Sequence, residues 1–200
     1  MNSHLRSLAE NPPADKAEVR AQILSRRARL SEIALADADA GRTARTLSGL
    51  KKLSCDVVAC YVSCGTEPGT VDLLAELADW GVEILLPWLD ADRPMWAPWS
   101  GEPMVMGPHS IPMPSSAPLD EGLARADVVI LPGLAGTATG VRLGRGGGWY
   151  DRTLVNVHCP RWLLLNDCEV LDTLPSNPWD QPVTTIITEH RRIDCTEVQV

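Results

Sequence analysis

A glycine- and arginine-rich segment at residues 140–151, with the sequence GVRLGRGGGWYD, follows a short apolar run at residues 128–131. The run is rich in β-branched residues and is closed by Pro132 and Gly133, so it predicts a buried strand. Glycines let backbone N–H groups approach an anion, and a following helix N-terminus adds partial positive charge. The order of strand, glycine turn and helix therefore predicts an α/β fold with an anion site at this turn.

The side chains of the segment suit a phosphorylated ligand with an aromatic ring. Arg142 and Arg145 carry fork-shaped donors that match phosphate oxygens. Asp151 is a carboxylate that can share Mg²⁺ with a phosphate, and Trp149 and Tyr150 offer flat surfaces for stacking. The glycine spacing matches neither the P-loop nor the dinucleotide fingerprint. A plain solvent-exposed turn is the alternative, but the clustering of arginines, glycines and aromatic residues favours a binding site.

Length, charge and cysteine usage narrow the class of protein. The 200 residues suit one domain, and a net charge of -8 disfavours nucleic acid or an anionic membrane as partner. No apolar run has the length of a membrane span, and the N-terminus lacks a signal-peptide core, so we expect a cytoplasmic protein. The 6 cysteines form no Cys-x-x-Cys pair, which predicts reduced, mostly buried thiols.

A helix is predicted over residues 16–30, where a capping-box-like start precedes an apolar face of helical period. Lys16, Arg20 and Arg27 fall within about 40° of one another beside that face. Such a stripe is usually a solvated surface. The alternative is a cationic rim that closes over nucleotide phosphates.

The rest of the chain alternates strand and helix patterns. Strands are predicted at residues 56–62, 82–87, 127–131, 162–166 and 184–188. This order predicts a single-domain α/β fold with three layers, in which helices flank both faces of a mostly parallel sheet. Residues 1–13 are predicted to form a flexible N-terminal arm, and residues 14–200 a single domain.

The expected site lies where ligands gather in open α/β sheets, at the carboxyl ends of the strands. We expect it to form from the loops after the first, third and last predicted strands, with the first helix closing one side. Glu67 lies in the first of these loops and is placed like a ligand residue. The alternative for Glu67 is an ordinary exposed loop acid.

The glycine segment resembles the signature of the 5-formyltetrahydrofolate cyclo-ligase family, also called methenyltetrahydrofolate synthetases. The matching residues are the Pro-Gly-Leu-Ala at 132–135 and the segment at 140–152. The resemblance extends over nearly the whole chain, from Lys16 to about Thr188. It implies conversion of 5-formyltetrahydrofolate to 5,10-methenyltetrahydrofolate with ATP as co-substrate and Mg²⁺ as cofactor. The implied partner is a reduced folate, with or without a polyglutamate tail, and we expect a monomer or weak homodimer.

The resemblance also assigns roles to individual residues, and it supports the roles inferred for the glycine segment. It implies ATP binding at Lys16, Arg20, Arg142, Leu143, Gly144, Arg145, Gly146, Gly147, Gly148, Trp149 and Tyr150. It implies folate binding at Val62, Glu67, Arg145, Gly146, Gly147, Gly148 and Trp149. Asp151 and Asp180 are the implied metal ligands, and Arg145 and Asp151 the implied catalytic residues.

The chain departs from the family pattern at three places. Met113 stands where a Glu is common, Gly136 and Thr137 replace Phe-Asp, and Gly147 stands where some members have Lys. Two alternatives stay open. The departures at Met113 and at 136–137 are compatible with a paralogue that binds folate or nucleotide without turnover. The same kind of sheet also occurs in enzymes that act on other phosphorylated metabolites without ATP.

Overall fold

A computed structural model describes residues 15–89 and 94–196. The strands within this part are β1 (Val57–Ala59), β2 (Glu83–Leu89), β3 (Pro94–Trp99), β4 (Val105–Met106), β5 (Pro112–Met113), β6 (Val128–Pro132), β7 (Ala135–Gly136), β8 (Arg142–Leu143), β9 (Arg161–Leu164), β10 (Thr185–Ile187) and β11 (Arg192–Asp194). The α-helices are α1 (Lys16–Arg27), α2 (Glu32–Leu53), α3 (Val71–Asp79) and α4 (Trp149–Thr153). Short 3₁₀ helices cover Pro108–Ser110, Gly122–Arg125 and Asp167–Glu169. The predicted arm at 1–13 lies outside the described residues, and the single domain at 14–200 stays a prediction.

The central sheet of the described part has 7 strands in the order β11-β10-β9-β6-β1-β2-β3. The five central strands run parallel, and β3 and β11 are antiparallel edge strands. The predicted α/β fold with a mostly parallel sheet is therefore confirmed. The sequence did not predict β3 or β11. The proline-rich strand β3 is compatible with an edge position, because there a missing N–H donor breaks fewer ladder bonds.

The core lies on both faces of the sheet. In β6, Val128 and Ile130 point to the face covered by α2 and α3, whereas Val129 and Leu131 point to the opposite face. The opposite face is covered by short elements, including Leu123 of a 3₁₀ helix and Leu154 after α4. Burial on both faces explains why the central strands have continuous apolar sequences rather than alternating ones.

A small two-stranded ribbon, β7 with β8, connects the sheet to the glycine segment. Helix α1 packs on this ribbon through Val19 and Ile23, which contact Leu134 and Leu143. This packing places α1 beside the glycine segment, as the sequence predicted. No helix of the described ranges combines the length and apolar character needed to cross a membrane.

Candidate active site

A cleft of about 1450 Å³ opens at the carboxyl ends of the parallel strands. Each site residue predicted from the sequence lines it, namely Lys16, Arg20, Val62, Glu67, Arg142, Leu143, Gly144, Arg145, Gly146, Gly147, Gly148, Trp149, Tyr150, Asp151 and Asp180. The walls come from the loop after β1, the end of β2, residues between 108 and 112, the segment that follows β6, helix α1 and residues 177–181. The expectation of a loop after the last predicted strand is wrong, because residues 177–181 precede β10.

The glycine loop has a backbone shape that other residues adopt only with strain. Gly146 has φ of 109° and Gly148 has φ of 64°. Arg20 of α1 donates from Nε to the Gly144 carbonyl at 2.9 Å, which ties the helix to the loop. Within residues 15–89 and 94–196, no protein acceptor takes up the backbone N–H groups of residues 145–148. These donors are thus available to an anion in the cleft.

Asp151 follows the glycines on α4 and is held by two donors. Arg142 donates from Nη2 to Asp151 Oδ1 at 2.7 Å, and the Gln181 backbone N–H donates to the same oxygen at 3.2 Å. The Arg142 side chain is only 3% exposed, so the cation of this ion pair is almost fully buried. Asp151 Oδ2 has no hydrogen-bond partner within the described chain.

Asp180, one residue before Gln181, is likewise held by two donors. Its Oδ2 pairs with Lys16 Nζ and accepts the Asn177 backbone N–H at 2.7 Å. Its Oδ1 makes no hydrogen bond to the described residues. Asp151 and Asp180 therefore each present one available carboxylate oxygen at the cleft. Mg²⁺ is typically held by one or two carboxylates together with substrate phosphates and water, so this donor set fits it.

Glu67 and Arg145 meet across the mouth of the cleft. Arg145 Nε donates to Glu67 Oε1 at 3.0 Å, and the Cys64 backbone N–H donates to Glu67 Oε2 at 3.0 Å. Glu67 is 13% exposed and Arg145 is 53% exposed. The sequence predicted a substrate role for each residue but did not predict that they pair. Because Arg145 is largely solvated, a phosphate can attract it away from Glu67 at little cost.

The aromatic residues of the segment contact each other as well as the cleft. The ring centroids of Trp149 and Tyr150 lie 4.8 Å apart, and Trp96 lies 5.4 Å from Trp149. Burial raises the pKa of Tyr150 well above its ordinary value, with the charge of Glu67 as the next cause. The phenol therefore stays protonated at neutral pH and can donate a hydrogen bond.

Arg27 does not belong to the cationic rim that the helical spacing suggested. It is 1% exposed and forms a bidentate pair with Glu169 at 2.6 and 2.7 Å. Its Nη2 also donates to the Gly133 carbonyl at 2.8 Å. Lys16 and Arg20 reach the cleft, whereas Arg27 joins α1 to the chain that follows the central strands β6 and β9.

Two departures from the family pattern fall outside the cleft lining of the described chain. Met113 lies in β5, and its sulfur packs against Gly107. Gly136 is buried in β7, where an added Cβ would lie 2.8 Å from Leu163 Cδ2. A large residue does not fit there without repacking. Gly147 does line the cleft, and an added Cβ there would meet no atom within 4 Å.

Trp179 is a cleft residue to which the sequence assigned no role. It is 68% exposed and precedes Asp180 on the wall formed by residues 177–181. Val155 lines the opposite rim and is 61% exposed. An isolated exposed tryptophan beside a predicted metal ligand is the only sequence signal for this position.

Cys64 lines the cleft but is predicted to react slowly with iodoacetamide at pH 7.5. Burial raises the pKa of its thiol, Glu67 raises it further, and Arg145 lowers it by less. Below that raised pKa the thiol stays protonated, so alkylation should accelerate only as the pH rises beyond the ordinary value of 9.0. Peptide mass spectrometry on native and urea-unfolded protein measures both rates. A native rate equal to the unfolded rate at pH 7.5 would contradict this assignment.

Comparison with known proteins identifies the family. A profile of the 5-formyltetrahydrofolate cyclo-ligase family matches residues 12–189. The 5-formyltetrahydrofolate cyclo-ligase of Mycolicibacterium smegmatis is 34% identical over 191 residues, covering 90% of this chain and 97% of that protein. The enzyme of the same name from Haemophilus influenzae is 27% identical over 190 residues, covering 86% and 96%.

A solved structure shares the fold. The 5,10-methenyltetrahydrofolate synthetase of Aquifex aeolicus superposes with a TM-score of 0.81 at 24% identity, covering 92% of this chain and 95% of that one. At 24% identity this structural similarity shows a shared fold. Membership of a family is shown instead by the profile match and by the sequence relatives. The chain belongs to the 5-formyltetrahydrofolate cyclo-ligase family.

Proposed function

We propose that the protein converts 5-formyltetrahydrofolate to 5,10-methenyltetrahydrofolate with ATP and Mg²⁺, releasing ADP and phosphate. The observation that carries the proposal is the convergence in one cleft of a glycine-arginine loop, the Asp151 and Asp180 carboxylates and Glu67. The names of the sequence relatives point to the same reaction.

The chemistry divides into two steps. The formyl oxygen of the folate attacks the γ-phosphorus of ATP, and the bond from that phosphorus to the bridging oxygen of ADP breaks. The formyl carbon is then linked to an oxygen that carries phosphate, which makes it electrophilic. The neighbouring side-chain nitrogen of the folate attacks this carbon, and inorganic phosphate leaves as the five-membered ring closes. The nitrogen loses its proton to the departing phosphate, which leaves as hydrogen phosphate beside the cationic methenyl product. Atoms and charge therefore balance without a protein nucleophile.

Such a phosphoryl transfer depends mainly on positioning and on neutralising charge. The N–H groups of residues 145–148 and the guanidinium of Arg145 would hold the transferred phosphate. Lys16 and Arg20 would hold the remaining phosphates from α1. Asp151 and Asp180 would bind Mg²⁺, which supplies charge neutralisation on the phosphate oxygens.

The folate would occupy the side of the cleft formed by the loop after β1. The Glu67 carboxylate accepts hydrogen bonds, which matches the amino and ring N–H donors of a pterin. Val62 and Trp149 supply apolar surface beside it. Movement of Arg145 to the phosphate would leave Glu67 Oε1 free for the pterin.

A spectrophotometric assay tests the proposal directly. We expect absorbance of the methenyl product to increase when 5-formyltetrahydrofolate, ATP and Mg²⁺ are all present, and to stay constant when ATP or Mg²⁺ is omitted. Product that forms equally without ATP would overturn the phosphorylation step. Absence of product together with calorimetric folate binding would instead identify a paralogue without turnover.

The Glu67→Gln substitution tests the folate role. It keeps the shape of the side chain but removes its charge, so we expect the KM for 5-formyltetrahydrofolate to rise about tenfold. The KM for ATP should change less than about twofold, since no phosphate contact is lost. Steady-state kinetics with each substrate varied in turn measures both values. Glu76→Gln, at an exposed position of α3, is the matched control. Equal changes in the two KM values would argue against a folate contact.

A further inference from the structure

A chain of buried polar contacts runs beneath the cleft. Arg42 of α2 is 1% exposed and donates to Asn166 Oδ1 at 2.8 Å and to Asp39 Oδ1 at 2.5 Å. Asn166 Nδ2 donates to Glu169 Oε1 at 2.8 Å, and Glu169 pairs with Arg27 of α1. The contacts thus link α2, the loop after β9 and α1 at the carboxyl edge of the sheet. Buried charges of this kind are costly unless paired, so the network holds these elements in one arrangement.

Asp39 is the end of this network that meets the Glu67 loop. Its Oδ1 accepts the Gly69 backbone N–H at 2.7 Å. A Cβ added at Gly69 would lie 2.3 Å from Asp39 Oδ2, so helix and loop are in direct contact. Among the described residues, Asp39 does not line the cleft, and any effect it has on a substrate passes through Gly69.

The Glu67 loop, residues 63–70, is also held by hydrogen bonds within itself and to the buried Tyr61 that precedes it. The Ser63 N–H donates to Thr70 Oγ1 at 3.0 Å, and the Thr70 N–H donates to Ser63 Oγ at 3.1 Å. Tyr61 Oη donates to the Pro68 carbonyl at 2.7 Å. These bonds hold the base of the loop at Tyr61, and none of them involves the Glu67 carboxylate or the Gly69 N–H.

Two side chains from more distant parts of the described sequence form hydrogen bonds with the loop. They are Asp39 and Arg145, which bond the Gly69 N–H and the Glu67 carboxylate respectively. Arg145 is more than half exposed and is the predicted phosphate ligand, so its contact is exchangeable. Asp39 is held by the buried Arg42 and is the fixed one of the two.

We propose that Asp39 is a positioning residue that orients the Glu67 loop for binding of the reduced folate. This inference rests on the proposed role of Glu67 in folate binding. Loss of the Asp39 contact lets the part of the loop around Gly69 shift, which displaces the nearby Glu67 carboxylate from the pterin donors. The phosphate side of the cleft, held by α1 and the glycine loop, keeps its geometry.

The test compares Asp39→Ala, Asp39→Asn and a control. Asp39→Ala removes the acceptor for Gly69, and we expect the KM for 5-formyltetrahydrofolate to rise about tenfold with kcat and the KM for ATP within about twofold. Asp39→Asn keeps an acceptor oxygen and should recover most of the affinity. Asp37→Ala, at an exposed position on the same helix, should behave as wild type. If Asp39 has only a structural role, the active fraction and kcat should fall, and the KM for 5-formyltetrahydrofolate should not rise relative to the KM for ATP.

A second variant reaches the same contact from the loop. Gly69→Ala places a methyl group against the Asp39 carboxylate and should reproduce the folate-selective loss. Since both substitutions break one contact, the double variant should lose no more than the larger single loss, whereas independent effects would multiply. Multiplication of the two losses would overturn the proposal.

Direct binding separates this inference from the proposed function. If wild-type protein binds 5-formyltetrahydrofolate in a calorimeter but shows no turnover, the reaction is wrong, and the affinity ratio of wild type to Asp39→Ala still tests Asp39. Unchanged folate affinity and KM in Asp39→Ala would overturn the positioning role while leaving the reaction intact. No folate binding by wild type would overturn both.

Discussion

Asp151→Asn should reduce turnover by about 10³-fold or more, because the substitution removes the charge of the proposed Mg²⁺ ligand at the transferred phosphate. The kcat of the purified variant, measured by formation of the methenyl product with saturating substrates, checks this expectation. Raising the Mg²⁺ concentration should restore little of the lost activity, since the amide oxygen is a poor ligand for the ion. Near-normal turnover would remove Asp151 from the metal site.

The ion pair of Asp151 with the buried Arg142 adds a stability effect to this variant. An asparagine oxygen still accepts the Arg142 hydrogen bond, but the buried cation loses its counter-charge. We therefore expect a loss of about 1–3 kcal/mol in the free energy of unfolding, seen as a modest decrease in Tm. Folate binding in the calorimeter should persist, which separates loss of chemistry from loss of fold. Asp172→Asn, at an exposed position outside the cleft, controls for the substitution itself.

Arg145→Ala should lower kcat/KM for ATP by about 10²-fold, because it removes the cation proposed to bind the transferred phosphate. Arg145 is 53% exposed, so solvent screens its direct ion pair with Glu67, and stability should change by less than about 0.5 kcal/mol. Steady-state kinetics with ATP varied at saturating folate measures the effect. Arg145→Lys keeps the charge but loses the fork-shaped donor pair, so its kcat/KM for ATP should lie between the values for wild type and Arg145→Ala.

Two further expected results distinguish a specific role of Arg145 in ATP binding from a general effect of losing an arginine. Arg125→Ala removes a surface arginine that is 44% exposed and pairs with Glu83, so it should leave ATP kinetics unchanged. The loss of the ion pair with Glu67 should also leave folate affinity the same or tighter, because Glu67 Oε1 becomes free. An ATP dependence equal to that of wild type would show that Arg145 does not bind the phosphate.

The central strands were predictable because their signal is local. The apolar run at 128–131 is part of β6, which is buried on both faces, and no distant residue is needed to recognise it. The edge strand β3 was missed because its prolines and tryptophans resemble a loop, and pairing with β2 is what makes it a strand. The helix predicted after the glycine turn is α4, which begins at Trp149 directly after Gly148, whose positive φ turns the chain into the helix.

The composition of the cleft was predictable for a different reason. Parallel strands bring their carboxyl ends to one edge, so Glu67 after β1 and the glycine segment after β6 had to be close. The pairings within the cleft were not predictable. Glu67 and Arg145 are 78 positions apart, and Lys16 and Asp180 are 164 positions apart. Which charges meet at such separations depends on side-chain packing that no local pattern records.

The sequence by itself determined the class of fold, and it identified the glycine segment, the start of the first helix, Glu67 and Asp180 as parts of one site, all of which line the cleft. Only the tertiary structure decided which charged residues face the cleft and which hold the fold together. Lys16, Arg20 and Arg27 share one helical stripe, yet Arg27 is buried against Glu169 while the other two line the cleft. Helical periodicity sets the angle of a side chain about its axis, but burial depends on what distant segments pack against it. Asp39 and Gly69 meet for the same reason, although nothing in either local sequence indicates the contact.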